Sequence, residues 1–204
     1  MFGKNIKFKK FDLKKKNFNK KKQISDIFKN LIKEKNEVIL SLDKSYKDTF
    51  SKKIVKKFKK INQVLVIGMG GSILGSKAIY NFLKPTNKNF IFVDDFLNKN
   101  IKPQKKSLNI VISKSGNTLE TISNFNIIMK KKNNNIFITE NKDSYLMRIA
   151  NKLKSDVVHH NNFIGGRYSV LSEVGMLPAE LMGLKPGKFR KFNSLIRNKV
   201  FLNS

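Results

Sequence analysis

Five short, almost continuous apolar runs lie between residues 64 and 160, and segments with helical periodicity follow most of them. Apolar strands joined by helix-length connections are typical of a parallel sheet that is buried on both faces. The sequence therefore predicts an α/β domain with a doubly wound, five-stranded parallel sheet and flanking helices. The runs are VLVIGM (64–69), FIFVDD (90–95), NIVIS (109–113), IFITE (136–140) and DVVHH (156–160), and the helical segments are 73–83, 119–129 and 145–153.

The flanking regions lack this alternation. Residues 1–23 are rich in lysine with scattered phenylalanine, and we expect an irregular arm. Apolar residues at helical spacing then predict two helices up to residue 60, with a break at 42–47. Beyond the fifth strand the pattern predicts a helix over 169–182, interrupted at Pro178, and another over 188–202. We accordingly divide the chain into 1–60 (arm and helices), 61–164 (sheet domain) and 165–204 (glycine loop and C-terminal helices).

Composition narrows the possible functions. The chain has 204 residues and no cysteine, so it has length for one sizeable core but no disulfide or thiolate chemistry. Its net charge is +29, yet only four of the 43 basic residues are arginine, the side chain suited to bidentate phosphate and guanine contacts. Lys, Asn, Ile and Phe, which are all enriched, have A/T-rich codons, which indicates a genome with biased base composition rather than selection for binding a phosphate backbone. We therefore expect a solvated basic surface and no nucleic-acid partner, although nucleic-acid binding remains an alternative that rests on charge.

The ends and the apolar runs also bear on localisation. The N-terminus is basic but has no apolar run of seven residues and no small-residue cleavage site, so it does not resemble a secretory signal. No stretch approaches the roughly 18 apolar residues of a membrane span. We predict a cytoplasmic protein without a membrane partner.

Two strand-to-helix turns carry unusual chemistry. The first, IGMGGSILG, places Gly70, Gly71 and Ser72 after the first strand, where Ser72 could cap the next helix. The second, SKSGNT, follows the third strand and leads into a helix that begins near Thr118. Ligands bind beyond the carboxyl ends of parallel strands, and helix N-termini there present unpaired N–H groups. Backbone amides, hydroxyls and the charge of Lys114 together predict a phosphate site, whereas each turn alone is also explained by ordinary capping.

Nucleotide motifs fit the first turn less well. A dinucleotide fingerprint needs glycine where Ile73 stands, although Asp94 and Asp95 end the second strand where a ribose-binding acid belongs. A Walker loop would need lysine before serine, but Ser76 precedes Lys77.

A third polar stretch, GGRYSVLSEVGMLPAELMGL, begins at residue 165. Arg167 follows two glycines, and its guanidinium could stabilise developing negative charge at the ligand edge; the alternative is a surface ion pair with Glu173 or Glu180. His159 and His160 end the fifth strand near the same edge, where a solvated structural role is the simpler interpretation.

The stretches VIGMGGSILGSKAI, ISKSGNTLET and GGRYSVLSEVGMLPAELMGL resemble, in order and approximate spacing, glucose-6-phosphate isomerase (phosphoglucose isomerase) over residues 60–200. The first two are also similar to the wider sugar isomerase (SIS) domain, which implies a flavodoxin-like sheet. The resemblance implies glucose 6-phosphate to fructose 6-phosphate isomerisation through a cis-enediol, in glycolysis and gluconeogenesis, with no cofactor or metal and with a homodimeric complete enzyme. It also implies site roles: Glu120 near the site, Arg167 stabilising the enediolate, and a phosphate cradle of Gly71, Ser72, Ser113, Lys114, Ser115, Gly116, Asn117 and Thr118.

The chain departs from this family in length. Members usually carry a second SIS domain that supplies the glutamate base and an assisting histidine and lysine, and no motif for these precedes Ser204. We therefore expect an N-terminal portion that binds sugar phosphate but is inactive alone. A non-catalytic sugar-phosphate-binding or regulatory module is the alternative, although the Gly-Gly-Arg-Tyr-Ser stretch has no evident use in such a sensor.

Overall fold

The computed structural model contains one five-stranded sheet, and it describes residues 18–34, 36–83, 88–96, 101, 103–104, 106–129 and 134–191. All neighbouring strands pair in parallel, in the order β2-β1-β3-β4-β5. The strands are β1 (Gln63–Gly68), β2 (Asn89–Val93), β3 (Ser107–Ile112), β4 (Asn134–Thr139) and β5 (Asp156–His159). This confirms the predicted doubly wound α/β class, since each predicted apolar run coincides with a strand to within two residues.

Helices cover the sheet on both faces. The helices among the described residues are α1 (Phe18–Lys33), α2 (Glu37–Ser41), α3 (Lys52–Lys57), α4 (Leu74–Leu83), α5 (Leu119–Ile128), α6 (Tyr145–Lys152) and α7 (Glu173–Leu181), and those packed on the sheet include α4 and α7 on one face and α5 and α6 on the other. Short 3₁₀ turns occupy Gly70–Ser72, Gly166–Leu171 and Pro186–Lys188. The predicted helices after β1, β3 and β4 are thereby confirmed.

The alternating directions of the β1 side chains explain why both faces of the sheet are covered. Val64 and Val66 point into one apolar cluster, with residues of α7, while Leu65 and Ile67 point into a second, with residues of α5 and α6. All four side chains are fully buried. Successive side chains of a strand face opposite sides, so an unbroken apolar strand needs apolar partners on both.

Four expectations about the flanking regions require correction. Helix α1 begins at Phe18, inside the region predicted to be an irregular arm, and residues 1–17 lie outside the described chain. The segment predicted as two helices contains three, because α2 begins at Glu37, capped by the side chain of Asn36. Pro178 does not interrupt its helix: it lies inside α7, and the helical path changes instead at Ser172, where the 3₁₀ turn ends. Residues 189–191 are not helical, and 192–202 are not described.

Within the residues that the structure describes, no helix has the length and apolar content required to cross a membrane.

Candidate functional site

The two polar turns singled out in the sequence lie at adjacent strand ends. Gly68 and Ile112 are register partners, so β1 and β3 finish side by side where the strand order reverses. A Cβ built on Gly68 would lie 3.0 Å from the carbonyl oxygen of Ile112 and 3.2 Å from Cβ of Ser72. Ser72 therefore stands over the junction of the two strands, next to the residue that opens the second turn. Open parallel sheets bind ligands at such a switch point.

Three hydroxyl groups of the second turn face one another, and we call Ser113, Ser115 and Thr118 the hydroxyl cradle. Oγ of Ser113 lies 2.8 Å from Oγ1 of Thr118 and 3.4 Å from Oγ of Ser115. Thr118 occupies the N-cap position of α5, but its side chain makes no capping hydrogen bond. The first N–H groups of a helix lack intrahelical partners. The cradle thus combines hydroxyl donors with the positive end of a ten-residue helix.

Gly116 and Asn117 fasten the cradle to the start of α6. Gly116 has φ +69°, and a Cβ there would lie 2.2 Å from Oγ of Ser144, which caps α6. Its carbonyl accepts the Leu146 N–H at 3.0 Å, and Oδ1 of Asn117 accepts the Tyr145 N–H at 2.9 Å. Only glycine fits this left-handed, crowded position without strain. The Asn117 side chain therefore holds the turn in place on α6.

Lys114 belongs to the same turn, but its ammonium group points toward β4 and β5. Nζ donates to the carbonyl oxygen of Asn162 at 2.6 Å and lies 3.5 Å from Oε1 of Glu140. The structure thus groups Ser113, Ser115 and Thr118, places Ser72 at the adjacent strand end, and engages the Lys114 charge elsewhere.

The turn that carries Arg167 packs directly on the first polar turn. A Cβ on Gly71 would lie 2.3 Å from both C and O of Gly166 and 3.0 Å from the Arg167 nitrogen. The buried Oγ of Ser169 donates within this turn to the Gly166 carbonyl at 2.8 Å and lies 3.3 Å from the Gly71 carbonyl. Glycine at position 71 is required by this close backbone approach.

The Arg167 guanidinium is exposed and makes no ion pair or hydrogen bond with any described residue. The alternative of an ion pair with Glu173 does not hold, because Glu173 is fully buried and accepts hydrogen bonds from the Asn161 N–H (2.8 Å) and the Tyr46 hydroxyl (3.2 Å). Glu180 lies near Asp48 and Lys52; burial, then the charge of Asp48, raises its pKa.

The remaining candidates lie around this edge. Glu120 occupies the first turn of α5, half-buried, where a carboxylate favours the helix dipole. Asp94 pairs with Lys77 at 2.7 Å, so one acid of the dinucleotide alternative and the lysine of the Walker alternative contact each other. His160 is fully buried rather than solvated, and its Nδ1 lies 3.1 Å from the Asn161 carbonyl oxygen. Burial lowers the pKa of His160 more than the nearby carboxylate of Glu173 raises it.

Sequence reasoning missed the residues that support the site. Ser169, Glu140 and Asn162 all contact its turns, but each looked like ordinary loop or strand-end chemistry. Ser169 belongs to the Gly-Gly-Arg-Tyr-Ser stretch, so its position beside Arg167 was the one usable signal. A separate shallow depression of about 300 Å³, lined in part by Glu37, Tyr46 and Asn161, lies between α2 and the loop after β5, away from the hydroxyl cradle.

Solved structures with the same fold identify the class of domain. The chain superposes on a hypothetical protein from Thermus thermophilus with a TM-score of 0.68 at 21% identity, covering 89% of this chain and 49% of that one. It superposes on tagatose-6-phosphate ketose/aldose isomerase from Escherichia coli with a TM-score of 0.56 at 17% identity, covering 71% and 45%. The sheet order and the two turns at its switch point define a doubly wound α/β domain with the fold of these proteins.

Sequence comparison then identifies the family. The family model for phosphoglucose isomerase matches residues 15–198, and the chain belongs to that family. It is 33% identical to glucose-6-phosphate isomerase of Methanocaldococcus jannaschii over 184 residues, covering 78% of this chain and 44% of the relative. It is 35% identical to the Acholeplasma laidlawii enzyme over 175 residues, covering 74% and 41%. The chain thus spans less than half the length of these relatives.

Proposed function

We propose that the chain binds a phosphosugar through its hydroxyl cradle and is the N-terminal portion of an isomerase that interconverts glucose 6-phosphate and fructose 6-phosphate. The observation that carries the proposal is the position of Ser72 and the hydroxyl cradle at two adjacent strand ends, beside a helix N-terminus without a side-chain cap. Hydroxyl groups, backbone amides and a helix dipole form the arrangement that proteins use for phosphate monoesters. The family membership supports the hexose as the rest of the ligand.

In this proposal the phosphate anchors the sugar while the chemistry occurs at its other end. Ring opening exposes a carbonyl at C1, and a base then moves a proton between C1 and C2 through a cis-enediol. Arg167, whose backbone nitrogen lies against Gly71, stabilises the negative charge on the enediolate oxygens; the packing of the two turns supports this role. Glu120 lies close to the site, and a second half of the enzyme, outside these residues, supplies the proton-transferring base.

A sugar-phosphate-binding module without catalysis is the second candidate. The arrangement of the two polar turns favours it, because all the hydroxyl groups of the cradle come from this chain and binding a phosphate needs no further segment. Arg167 is exposed and has no ion-pair or hydrogen-bond partner among the residues that the structure describes, which favours the isomerase, since a phosphate sensor has no evident use for a second cation there. We retain the isomerase as the main proposal.

The first test is equilibrium binding of glucose 6-phosphate, inorganic phosphate and glucose to the chain. We expect glucose 6-phosphate and phosphate to bind and glucose not to bind. Hydrogen bonds to a charged group contribute roughly 1.5–3 kcal/mol each, so Ser115→Ala with Thr118→Ala should weaken phosphate binding by a factor of ten or more. Ser123→Ala is the matched control, since Ser123 lies in the same helix and outside the cradle. Unchanged affinity in the double variant would remove the cradle from the proposal.

The second test separates the two functions. The chain is assayed for conversion of glucose 6-phosphate alone and with a supplied C-terminal half of a family member. Activity in the mixture that is lost in Arg167→Lys supports the isomerase, because the planar guanidinium fork is lost while the charge remains. Binding without activity in either mixture would favour the non-catalytic module.

A further inference from the structure

Lys114 is joined to two neighbouring elements of the site edge. Its ammonium group donates to the Asn162 carbonyl at 2.6 Å and pairs with Oε1 of Glu140 at 3.5 Å. Its own carbonyl accepts the Glu140 N–H at 3.2 Å and lies 3.4 Å from the Thr139 hydroxyl. Both ends of the residue thus tie the cradle loop to the ends of β4 and β5.

The carboxylate that faces Lys114 is held in its charged form. Burial raises the pKa of Glu140, but hydrogen bonds and charge from Lys142 and then Lys114 outweigh burial, so the net shift is downward. Oε2 of Glu140 lies 2.5 Å from Nζ of Lys142, and the Glu140 side chain is only 13% exposed. A neighbouring negative charge stabilises the ammonium where it stands and reduces the charge available to a phosphate.

Asn162 belongs to a short, tightly held stretch, residues 161–164, which we call the link segment. Asn161 donates its N–H to the buried Glu173, and its Oδ1 accepts the Phe163 N–H at 2.9 Å. Ile164 is fully buried, and Gly165 and Gly166 follow at once, leading to Arg167. Since only four residues separate Asn162 from Arg167, we expect a shift at Asn162 to reach the Arg167 turn.

From these contacts we propose that Lys114 is a positioning residue: its ammonium holds the Asn162 carbonyl and thereby fixes the link segment, and with it Arg167, relative to the hydroxyl cradle. The two anion-handling parts of the site, one after β3 and one after β5, are then tied to each other by this side chain, in addition to the packing of Gly166 on Gly71. The proposal rests on the proposed function, and it gives the Lys114 side chain a role different from the predicted phosphate contact.

Four variants isolate this role. Lys114→Met removes the ammonium while it keeps most of the aliphatic side chain, and Lys114→Gln is a second version with a shorter, polar side chain. Lys142→Met is the matched control, because it removes the other partner of Glu140 without reaching Asn162. Lys114→Arg should rescue, since a guanidinium can also donate to a carbonyl and pair with a carboxylate.

Two ligands separate positioning from phosphate contact. Inorganic phosphate occupies the cradle alone, whereas an aldonic acid phosphate adds a C1 carboxylate that resembles the enediolate and needs Arg167. We expect Lys114→Met to bind inorganic phosphate within about twofold of the wild type and to lose roughly tenfold or more in affinity for the two-anion ligand, since small misplacements of a site group have effects of this order. Lys142→Met and Lys114→Arg should bind both ligands as the wild type does.

Equal loss for both ligands in Lys114→Met would overturn the proposal and assign the ammonium to phosphate, and no loss for either would show that the Arg167 turn is fixed without it. Backbone amide resonances of Gly165, Gly166 and Arg167 give a readout that needs no ligand. They should shift in Lys114→Met and stay in place in Lys142→Met, and the reverse would refute the positioning role. If the wild type binds neither ligand, but Lys114→Met still shows these resonance shifts, the proposed function alone is refuted.

Discussion

Replacement of Gly71 by alanine should disturb the site through a single backbone contact. The added Cβ would lie 2.3 Å from C and O of Gly166, whereas ordinary contact begins at 3.4 Å. Gly166 would have to retreat by about 1 Å, and backbone atoms have no alternative rotamer with which to do so. Because Arg167 is the next residue, it should move with Gly166.

The neighbouring glycine provides the control. Gly70 has φ +52°, and a Cβ there meets no atom within 4 Å. Gly70→Ala therefore carries only the left-handed backbone penalty, roughly 1–2 kcal/mol, whereas the overpacking in Gly71→Ala is worth about 1–3 kcal/mol. These ranges overlap, so the free energy of unfolding alone does not distinguish the two variants.

Ligand binding should distinguish them. A displacement of about 1 Å at a reacting group can cost on the order of a hundredfold in rate, so Gly71→Ala should weaken binding of an aldonic acid phosphate strongly. Gly70→Ala should bind it nearly as the wild type does, and both should retain inorganic phosphate. Urea unfolding and titration calorimetry of the three proteins make the comparison. Equal affinities of the two variants for the two-anion ligand would refute the inferred coupling between Gly71 and Arg167.

Two further predictions concern buried charges. Arg190 is 3% exposed, pairs with Asp48 and donates to the Leu171 carbonyl. Arg190→Ala should therefore lower the free energy of unfolding in urea by about 3–5 kcal/mol, because it leaves the Asp48 charge unpaired. Arg190→Met with Asp48→Asn should recover part of this loss, and no recovery would contradict the unpaired-charge explanation. Burial lowers the pKa of His160, so the unfolded chain takes up the proton first and stability should fall as the pH drops below about 6.5, by at most about 1.4 kcal/mol per unit. His160→Asn should flatten that part of the pH profile, and an unaltered slope would assign it to other groups.

The sheet was predictable because its strands are buried on both faces. β1 and β3 are apolar apart from Gln63, Ser107 and Asn109, and a doubly covered parallel sheet buries both of their sides. The short helices were less predictable. The break before α2 depends on one capping contact from Asn36, and the pattern of apolar residues continues across it. Pro178 was wrongly predicted to interrupt its helix. Its missing N–H costs α7 one hydrogen bond, but the burial of almost the whole helix outweighs that loss.

The candidate site was likewise predictable from the sequence only in part. The cradle was predictable because hydroxyl groups, glycine and a helix start are adjacent in sequence at Ser113 to Thr118. The direction of the Lys114 side chain was not, since it depends on Glu140 and Asn162, which reach it only after β4 and β5 pair. Contacts between distant segments leave no periodic signal in the chain.

The first polar turn, the hydroxyl cradle and the Arg167 turn are held together by contacts other than those of the cradle hydroxyls and the Arg167 guanidinium. Gly71 lies against Gly166, the Ser169 hydroxyl lies between their carbonyls, and the Lys114 ammonium ties the cradle loop to Asn162. A hydroxyl cradle that is set by its own hydrogen bonds can bind phosphate wherever Arg167 lies. A reaction at the far end of the sugar requires both at one separation, because the phosphate fixes where the enediolate forms. The bracing around Arg167 is therefore what an isomerase needs and a phosphate sensor does not.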